Sequence, residues 1–320
     1  MLALLFPGQA SQEVGMGRDV FDTSAAARQV FDAADAALAD SLRRPLSSIC
    51  FEGPEEELRL TEIQQPAILT TSIALLRALE EEVGPIRPGY VGGHSLGEYT
   101  ALVASGALPF EDAVRTVHLR GKLMQMAVPE GQGAMAAVLG VAPEVVAEAC
   151  EHAAKETGRV VTPANYNSSQ QTVMAGDAQA VEAACEKVRE LGAKKTVPLP
   201  VSAPFHCALM APAAAGLEPE LKKIAFQKAV PPVVTNVEAE PNDDPGRMVE
   251  LLCEQVTAPV RFTDMIERMK ALGVDGFLEV GPGRVLSGLI ARIERRAKRA
   301  NFSSLAELDD VRAFINENHS

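Results

Sequence analysis

The stretch best equipped for chemistry is Gly92-Gly-His-Ser-Leu-Gly-Glu-Tyr99, in which Gly93, Ser95 and Gly97 form G-x-S-x-G between a short apolar run and an Ala-rich segment. That is the pattern of a nucleophile elbow, a strained strand-to-helix turn that lifts a serine hydroxyl clear of a sheet. It leaves the next backbone N–H, that of Leu96, facing a developing oxyanion. A plain turn with a helix-capping serine is the competing reading. A serine nucleophile needs a base, and the chain has 5 histidines. His94 adjoins the serine and points elsewhere, His319 lies at the chain end, His152 falls on a predicted helix and His118 on the predicted solvated face of another. His206 remains, in the loop Val201-Ser-Ala-Pro-Phe-His-Cys207, at a junction of the kind whose loops border clefts.

On a predicted helix Phe110 to Val128, the positions Ala113, Val114, Val117, Gly121, Met124 and Val128 form one apolar stripe, with Arg120 at its edge. A guanidinium turned toward a core is costly unless an anion meets it. Two partners fit: one of the chain's 43 acids, or a substrate carboxylate gripped in a bidentate clamp. The loop Phe6-Pro-Gly-Gln-Ala-Ser-Gln12 offers a second oxyanion N–H at Gln9. It has no phosphate-loop pattern, and no metal-ligand spacing occurs in the chain.

These residues must be held by a scaffold of 320 residues, enough for about two domains. Short apolar runs ending in Gly or Pro turns alternate with Ala-rich helical stretches, the α/β signature. Leu2 to Phe6, Tyr90 to Gly92 and Gly276 to Val280 read as strands, the last turning through Gly281-Pro-Gly283 into a helix Val285 to Arg299. A module looks inserted between Gly131 and Leu199. Its strands are expected at Ala134 to Leu139, Arg159 to Ala164, Gln171 to Ala175 and Lys195 to Leu199, its helices at Pro143 to Thr157 and Asp177 to Leu191. That β-α-β-β-α-β order is ferredoxin-like, so a small domain is placed at 129–201 and a main domain at 1–128 and 202–320.

A net charge of −13 and 4% aromatics with no Trp argue against a nucleic-acid partner. No apolar run reaches membrane-spanning length, and the N-terminal run is too short for a leader. The 5 cysteines are scattered and never in a C-x-x-C pair, which fits a reducing, cytoplasmic setting.

Taken together, the sequence resembles the malonyl-CoA:acyl carrier protein transacylases, the stand-alone acyltransferases of fatty acid synthesis, relatives of the acyltransferase domains of polyketide synthases. The likeness runs through Phe6 to Gln12, Gly93 to Glu98, His118-Leu-Arg-Gly121, Ala164-Asn-Tyr-Asn167, Pro204-Phe-His206, Gln255-Val-Thr-Ala-Pro-Val-Arg261 and Glu279-Val-Gly-Pro-Gly283. It implies an α/β-hydrolase-like domain carrying a ferredoxin-like insertion. It implies Ser95 as nucleophile and His206 as base, with Gln9 and Leu96 as oxyanion donors. Arg120 would grip the malonyl carboxylate, a backbone carbonyl near Gln255 would orient the histidine, and Asn165 and Asn167 would line the cleft. Phe205 would disfavour an α-methyl branch.

The same likeness implies malonyl-CoA as substrate, no permanently bound cofactor, and an acidic, phosphopantetheinylated acyl carrier protein as partner. A chain this acidic would need a local basic face for that partner. Arg292, Arg295, Arg296, Lys298 and Arg299 on the late helix form one candidate, and Lys187, Lys194 and Lys195 another. Ala10 departs from the glycine common at its position, and Ser168-Ser169 from a commoner turn. A carrier protein of polyketide synthesis is an alternative acceptor. A serine thioesterase or esterase is an alternative activity, although Pro198 to Phe205 holds no acid ahead of the histidine.

Overall fold

A strand without a polar side is stable only with both faces covered. Leu2–Phe6 is apolar and buried at every position, and it forms β1. The computed structural model describes residues 1–201 and 203–318. After β1 come α1 (Arg18–Thr23), α2 (Ala25–Leu38), α3 (Leu46–Glu52), α4 (Glu55–Leu58) and the long α5 (Thr61–Val83). Then follow β2 (Tyr90–Gly93), α6 (Leu96–Ala104) and α7 (Phe110–Met126). A second group consists of β3 (Gly133–Leu139), α8 (Pro143–Thr157), β4 (Val161–Ser168), β5 (Gln171–Asp177), α9 (Ala178–Glu190) and β6 (Lys195–Pro198). The chain continues with α10 (Ala211–Leu221), β7 (Val233–Val234), β8 (Pro241–Asn242), α11 (Met248–Thr257) and α12 (Phe262–Ala271). It closes with β9 (Gly276–Val280), α13 (Val285–Ile293), β10 (Lys298–Phe302) and α14 (Leu308–Asn318).

The main sheet has the order β10-β9-β1-β2-β7-β8 and is parallel except for the β7–β8 pair. Phe6 stands opposite Gly93, so the loop after β1 and the turn after β2 leave the sheet side by side at its carboxyl edge. In open α/β sheets that edge is where ligands bind. Helix α5 lies against α7 and is buried along most of Thr61 to Leu79, where small and apolar residues predominate and the buried polar side chains Gln64 and Gln65 turn toward the site.

The second sheet is antiparallel with order β4-β5-β3-β6. Strand alternation divides its residues. Ala136, Val138 and Met174 pack with α8 and α9, while Met135, Ala137, Val173 and Ala175 face the main core. One isolated bridge, Asn165 to Val260, ties β4 to the segment before α12.

The β-α-β-β-α-β order of the second group matches the expectation, with its second strand lying later, at Val161–Ser168. Two expectations fail. The late helix stops at Ile293, because Glu294 takes an extended conformation and Lys298–Phe302 becomes an edge strand pairing with β9. Burial accounts for the strand: it runs from exposed Lys298 to fully buried Phe302, and a charged, exposed start is what an edge strand tolerates. Arg292 and Lys298 therefore share no helical face, and Arg299 is spent on the Glu294 and Ala297 carbonyls. His118 is half-buried rather than solvated, its Nδ1 2.8 Å from the Glu62 carbonyl, because Gly121 lets α7 close onto the start of α5. His319 lies outside the described residues. Among those described, no helix is long and apolar enough to cross a membrane.

Candidate active site

Strand β2 ends at Gly93 and α6 begins at Leu96, which leaves Ser95 on the turn with φ 53° and ψ −103°. Such a backbone costs a non-glycine residue on the order of 1–3 kcal/mol and persists only where its surroundings hold it. The flanking glycines are steric necessities. A Cβ at Gly97 would sit 2.0 Å from the Phe6 carbonyl oxygen, and one at Gly93 2.3 Å from the Gly97 backbone. Strand and helix can approach that closely only when both positions lack side chains.

Three hydrogen bonds hold the turn from outside. The Ser95 N–H donates to Asn236 Oδ1 (2.6 Å), Asn236 Nδ2 donates to the Gly93 carbonyl (2.7 Å), and Gln255 Nε2 donates to the Ser95 carbonyl (2.9 Å). Both residues also converge on Glu98 Oε2, which accepts from the Asn236 main-chain N–H at 3.0 Å and from Gln255 Nε2 at 2.8 Å. The turn is thus clamped by Asn236, Glu98 and Gln255, from three separate segments.

Ser95 Oγ lies 2.8 Å from His206 Nε2, and His206 Nδ1 lies 2.8 Å from the Gln255 carbonyl oxygen. A carbonyl can only accept, so Nδ1 carries the proton and Nε2 presents a lone pair to the serine hydroxyl. Among the described residues no carboxylate hydrogen-bonds the ring; the imidazole is oriented by main chain. Burial foremost, and then the Arg120 cation, hold the His206 pKa down to about 3, so the ring is neutral and basic in form near pH 7.

Arg120 is fully buried. Its Nη1 donates to Gln65 Oε1 at 2.7 Å, and its Nη2 donates to Gln255 Oε1 at 2.9 Å and to Ser95 Oγ at 3.0 Å. The sequence placed it at the edge of a stripe; the structure turns it wholly inward, because α5, α6 and α11 surround this turn of α7. Among the described residues no carboxylate lies within 4.0 Å of it, and its Nε has no partner. The internal ion pair entertained from the sequence is therefore not made. Burial lowers its pKa while Tyr99 and Glu98 raise it.

Gln9 sits on the loop after β1, its Nε2 donating to Gln64 Oε1 at 2.6 Å. Ala10 beside it takes φ 73°, a left-handed conformation that glycine adopts more cheaply. Leu96 N–H opens α6 and is one of the amides a helix cannot satisfy internally. A cleft of about 500 Å³ opens at the Gln9 loop, lined by Gln9, Arg59, Gln64, Leu199, Val201 and Phe205; it reaches the residue before His206, with neither Ser95 nor His206 in its lining. Asn165 is buried on β4, and no side-chain hydrogen bond joins it to Ser95, His206, Arg120 or Gln255 among the described residues. Asn167 makes the contact instead, its Oδ1 2.9 Å from His94 Nε2, which turns His94 away from the serine. The residues that sequence reasoning missed are Asn236, Gln65 and the role of Glu98. Glu98 had a signal in its place after the elbow, whereas Asn236 and Gln65 stand in segments with no diagnostic spacing.

The acyl transferase domain family matches residues 3–306. The chain is 47% identical over 297 residues to the malonyl CoA-acyl carrier protein transacylase of Bacillus subtilis, covering 93% of this chain and 92% of that protein. It is 47% identical over 291 residues to that of Escherichia coli, covering 91% and 92%. The crystal structure of an acyl carrier protein S-malonyltransferase from Vibrio cholerae superposes with a TM-score of 0.92 at 43% identity, covering 97% of this chain and 99% of that one. A malonyl-transacylase in complex with a type II polyketide acyl carrier protein aligns with a TM-score of 0.92 at 42% identity, covering 98% and 99%. With matches of this extent in both sequence and architecture, the chain belongs to the acyl transferase family, in the company of the malonyl CoA-acyl carrier protein transacylases.

Proposed function

We propose that the protein moves a malonyl group from malonyl-CoA to the phosphopantetheine thiol of an acyl carrier protein, through a malonyl ester on Ser95. The observation that carries this reading is a fully buried guanidinium, without a carboxylate partner, 3.0 Å from the nucleophilic oxygen. A hydrolase of neutral acyl groups has no use for such a cation, whereas an acyl group ending in a carboxylate does.

In the first half-reaction His206 Nε2 takes the Ser95 proton as Oγ attacks the thioester carbonyl. The oxyanion is held by the Leu96 and Gln9 N–H groups, each contributing about 3–4 kcal/mol as in comparable sites. The carbon–sulfur bond breaks, the CoA sulfur leaves with the proton from His206, and the ester remains. In the second half the carrier thiol gives its proton to His206 and attacks the ester carbonyl. Ser95 Oγ departs and recovers the proton. Arg120 pairs with the malonyl carboxylate; loss of a buried charge pair costs about 2–5 kcal/mol, a roughly 30- to 4000-fold preference over acetyl.

The architecture is read as α/β-hydrolase-like at 1–128 and 202–320, with a ferredoxin-like unit at 129–201. The strand order β4-β5-β3-β6 and the elbow after β2 support that description. Thioesterase activity is disfavoured by the absence of an acid on His206 Nδ1.

Intact mass after brief exposure to malonyl-CoA or acetyl-CoA tests the reading. Wild type should gain a malonyl adduct, Ser95→Ala none, and Arg120→Ala should lose its malonyl preference. Consumption of thioester without any adduct would turn the assignment toward hydrolysis.

A further inference from the structure

Glu98 is a buried ionisable group beside the site that the mechanism above leaves unused. It is 2% exposed, on the second residue after the first turn amide of α6, and its Oε2 receives two N–H donors, Gln255 Nε2 at 2.8 Å and the Asn236 N–H at 3.0 Å. The Gln255 amide that donates to Glu98 accepts, at its other end, from Arg120 Nη2 at 2.9 Å. One side-chain amide therefore stands between a buried cation and a buried carboxylate, its oxygen toward the cation and its N–H toward the anion. That dipole is aligned with both charges, so each is stabilised by the other without contact. The arrangement is asymmetric in use: Arg120 also reaches Ser95 Oγ, where an acyl group would be attached, whereas Glu98 faces away from the serine hydroxyl, behind Gln255.

Resting on the reading that Arg120 receives the acyl carboxylate, we propose that Glu98 is a specificity-determining positioning residue, the resident counter-charge of Arg120 acting through Gln255. Two anions share one cation, and each weakens the other's hold. Glu98 thereby keeps Arg120 from holding malonyl so firmly that the ester outlives its transfer to the carrier thiol. Burial pushes the Glu98 carboxyl up to about 7, against the Gln255 and Asn236 donors and the Arg120 charge, as a group with only partial compensation should behave.

The test is steady-state kinetics at pH 8.5, where the Glu98 carboxyl is ionised, with malonyl-CoA and acetyl-CoA as donors and a phosphopantetheinylated acyl carrier protein as acceptor, alongside thermal melts. Glu98→Gln keeps the shape and an acceptor oxygen but removes the charge. It should lower KM for malonyl-CoA about 5- to 30-fold, the effect of one unit charge at an effective dielectric near 20, with kcat falling in step. Both constants for acetyl-CoA should stay within about twofold, and the malonyl effect should vanish in an Arg120→Ala background. Equal shifts for both donors, or a malonyl effect that survives Arg120→Ala, would overturn the proposal. Should Glu98→Gln fail to fold, Glu98→Asp keeps the charge and serves instead. It should slow both donors alike with their ratio within about twofold, and a ratio shifted tenfold would count against the proposal. Failure of the clamp reading is separately visible: Arg120→Ala would then leave the malonyl-to-acetyl preference of the otherwise wild-type enzyme intact.

Discussion

Ser95 and His206 both take positive φ, 53° and 61°, so the proposed nucleophile and base are each held in backbone conformations that a free chain avoids. The strain is local and its restraints are specific: Asn236 and Gln255 for the serine, the Gln255 carbonyl for the histidine. Because His206 is held down to about 3, from the ordinary 6.5, it stays unprotonated through mild acid. Stopped-flow acylation should accordingly not fall as pH drops from 8 to about 5, and a loss centred near the usual histidine value would contradict the assigned burial. Glu98 behaves in the opposite sense. Its folded pKa of about 7 exceeds the ordinary 4.5, so its contribution to stability is full below 4.5 and is lost as pH rises through 7. Glu98→Gln removes that loss, and urea melts should show the variant gaining on wild type between pH 5 and 8 by about 2 kcal/mol.

At the scale of elements, the site depends on how closely α6 passes the end of β1. The 2.0 Å approach that a Gly97 Cβ would make to the Phe6 carbonyl is to backbone, which cannot swing aside. Gly97→Ala should therefore open the elbow, destabilising the protein by about 1–3 kcal/mol and slowing formation of the acyl-enzyme, checked by melting temperature together with adduct mass. The late helix teaches the converse lesson. Its basic residues suggested one charged helical face, yet Phe302 buries as a strand residue alongside β9 and the helix ends at Ile293. Arg and Lys are good helix formers, but propensity is a small term per residue, and pairing with an existing sheet edge outweighs it.

For the whole molecule, a net charge of −13 has to be reconciled with an acidic carrier partner. Two basic groups are exposed: Arg295, Arg296 and Lys298 around the end of α13, and Lys194 and Lys195 at the start of β6, which runs on toward Leu199 and Val201 at the cleft. Lys187 is already paired with Glu190. Reversing Lys194 and Lys195 to Glu should raise KM for the carrier protein about 3- to 10-fold at low salt, leave KM for malonyl-CoA unchanged, and lose its effect as salt is added. Unaltered carrier kinetics would move the docking face elsewhere.

The elbow, the histidine, the α/β class and the β-α-β-β-α-β group were legible in the chain because each rests on local order: glycines flanking a serine, a short roster of histidines, apolar runs of period 2 or 3.6. The depth of Arg120, the turning inward of His118, the end of α13 and the parts played by Asn236, Gln65 and Glu98 were settled only by the tertiary fold. These depend on which residues from distant segments meet in the interior, 141 positions apart for Ser95 and Asn236. No spacing along the chain encodes such a meeting; burial creates the demand for a partner, and packing decides which side chain answers it.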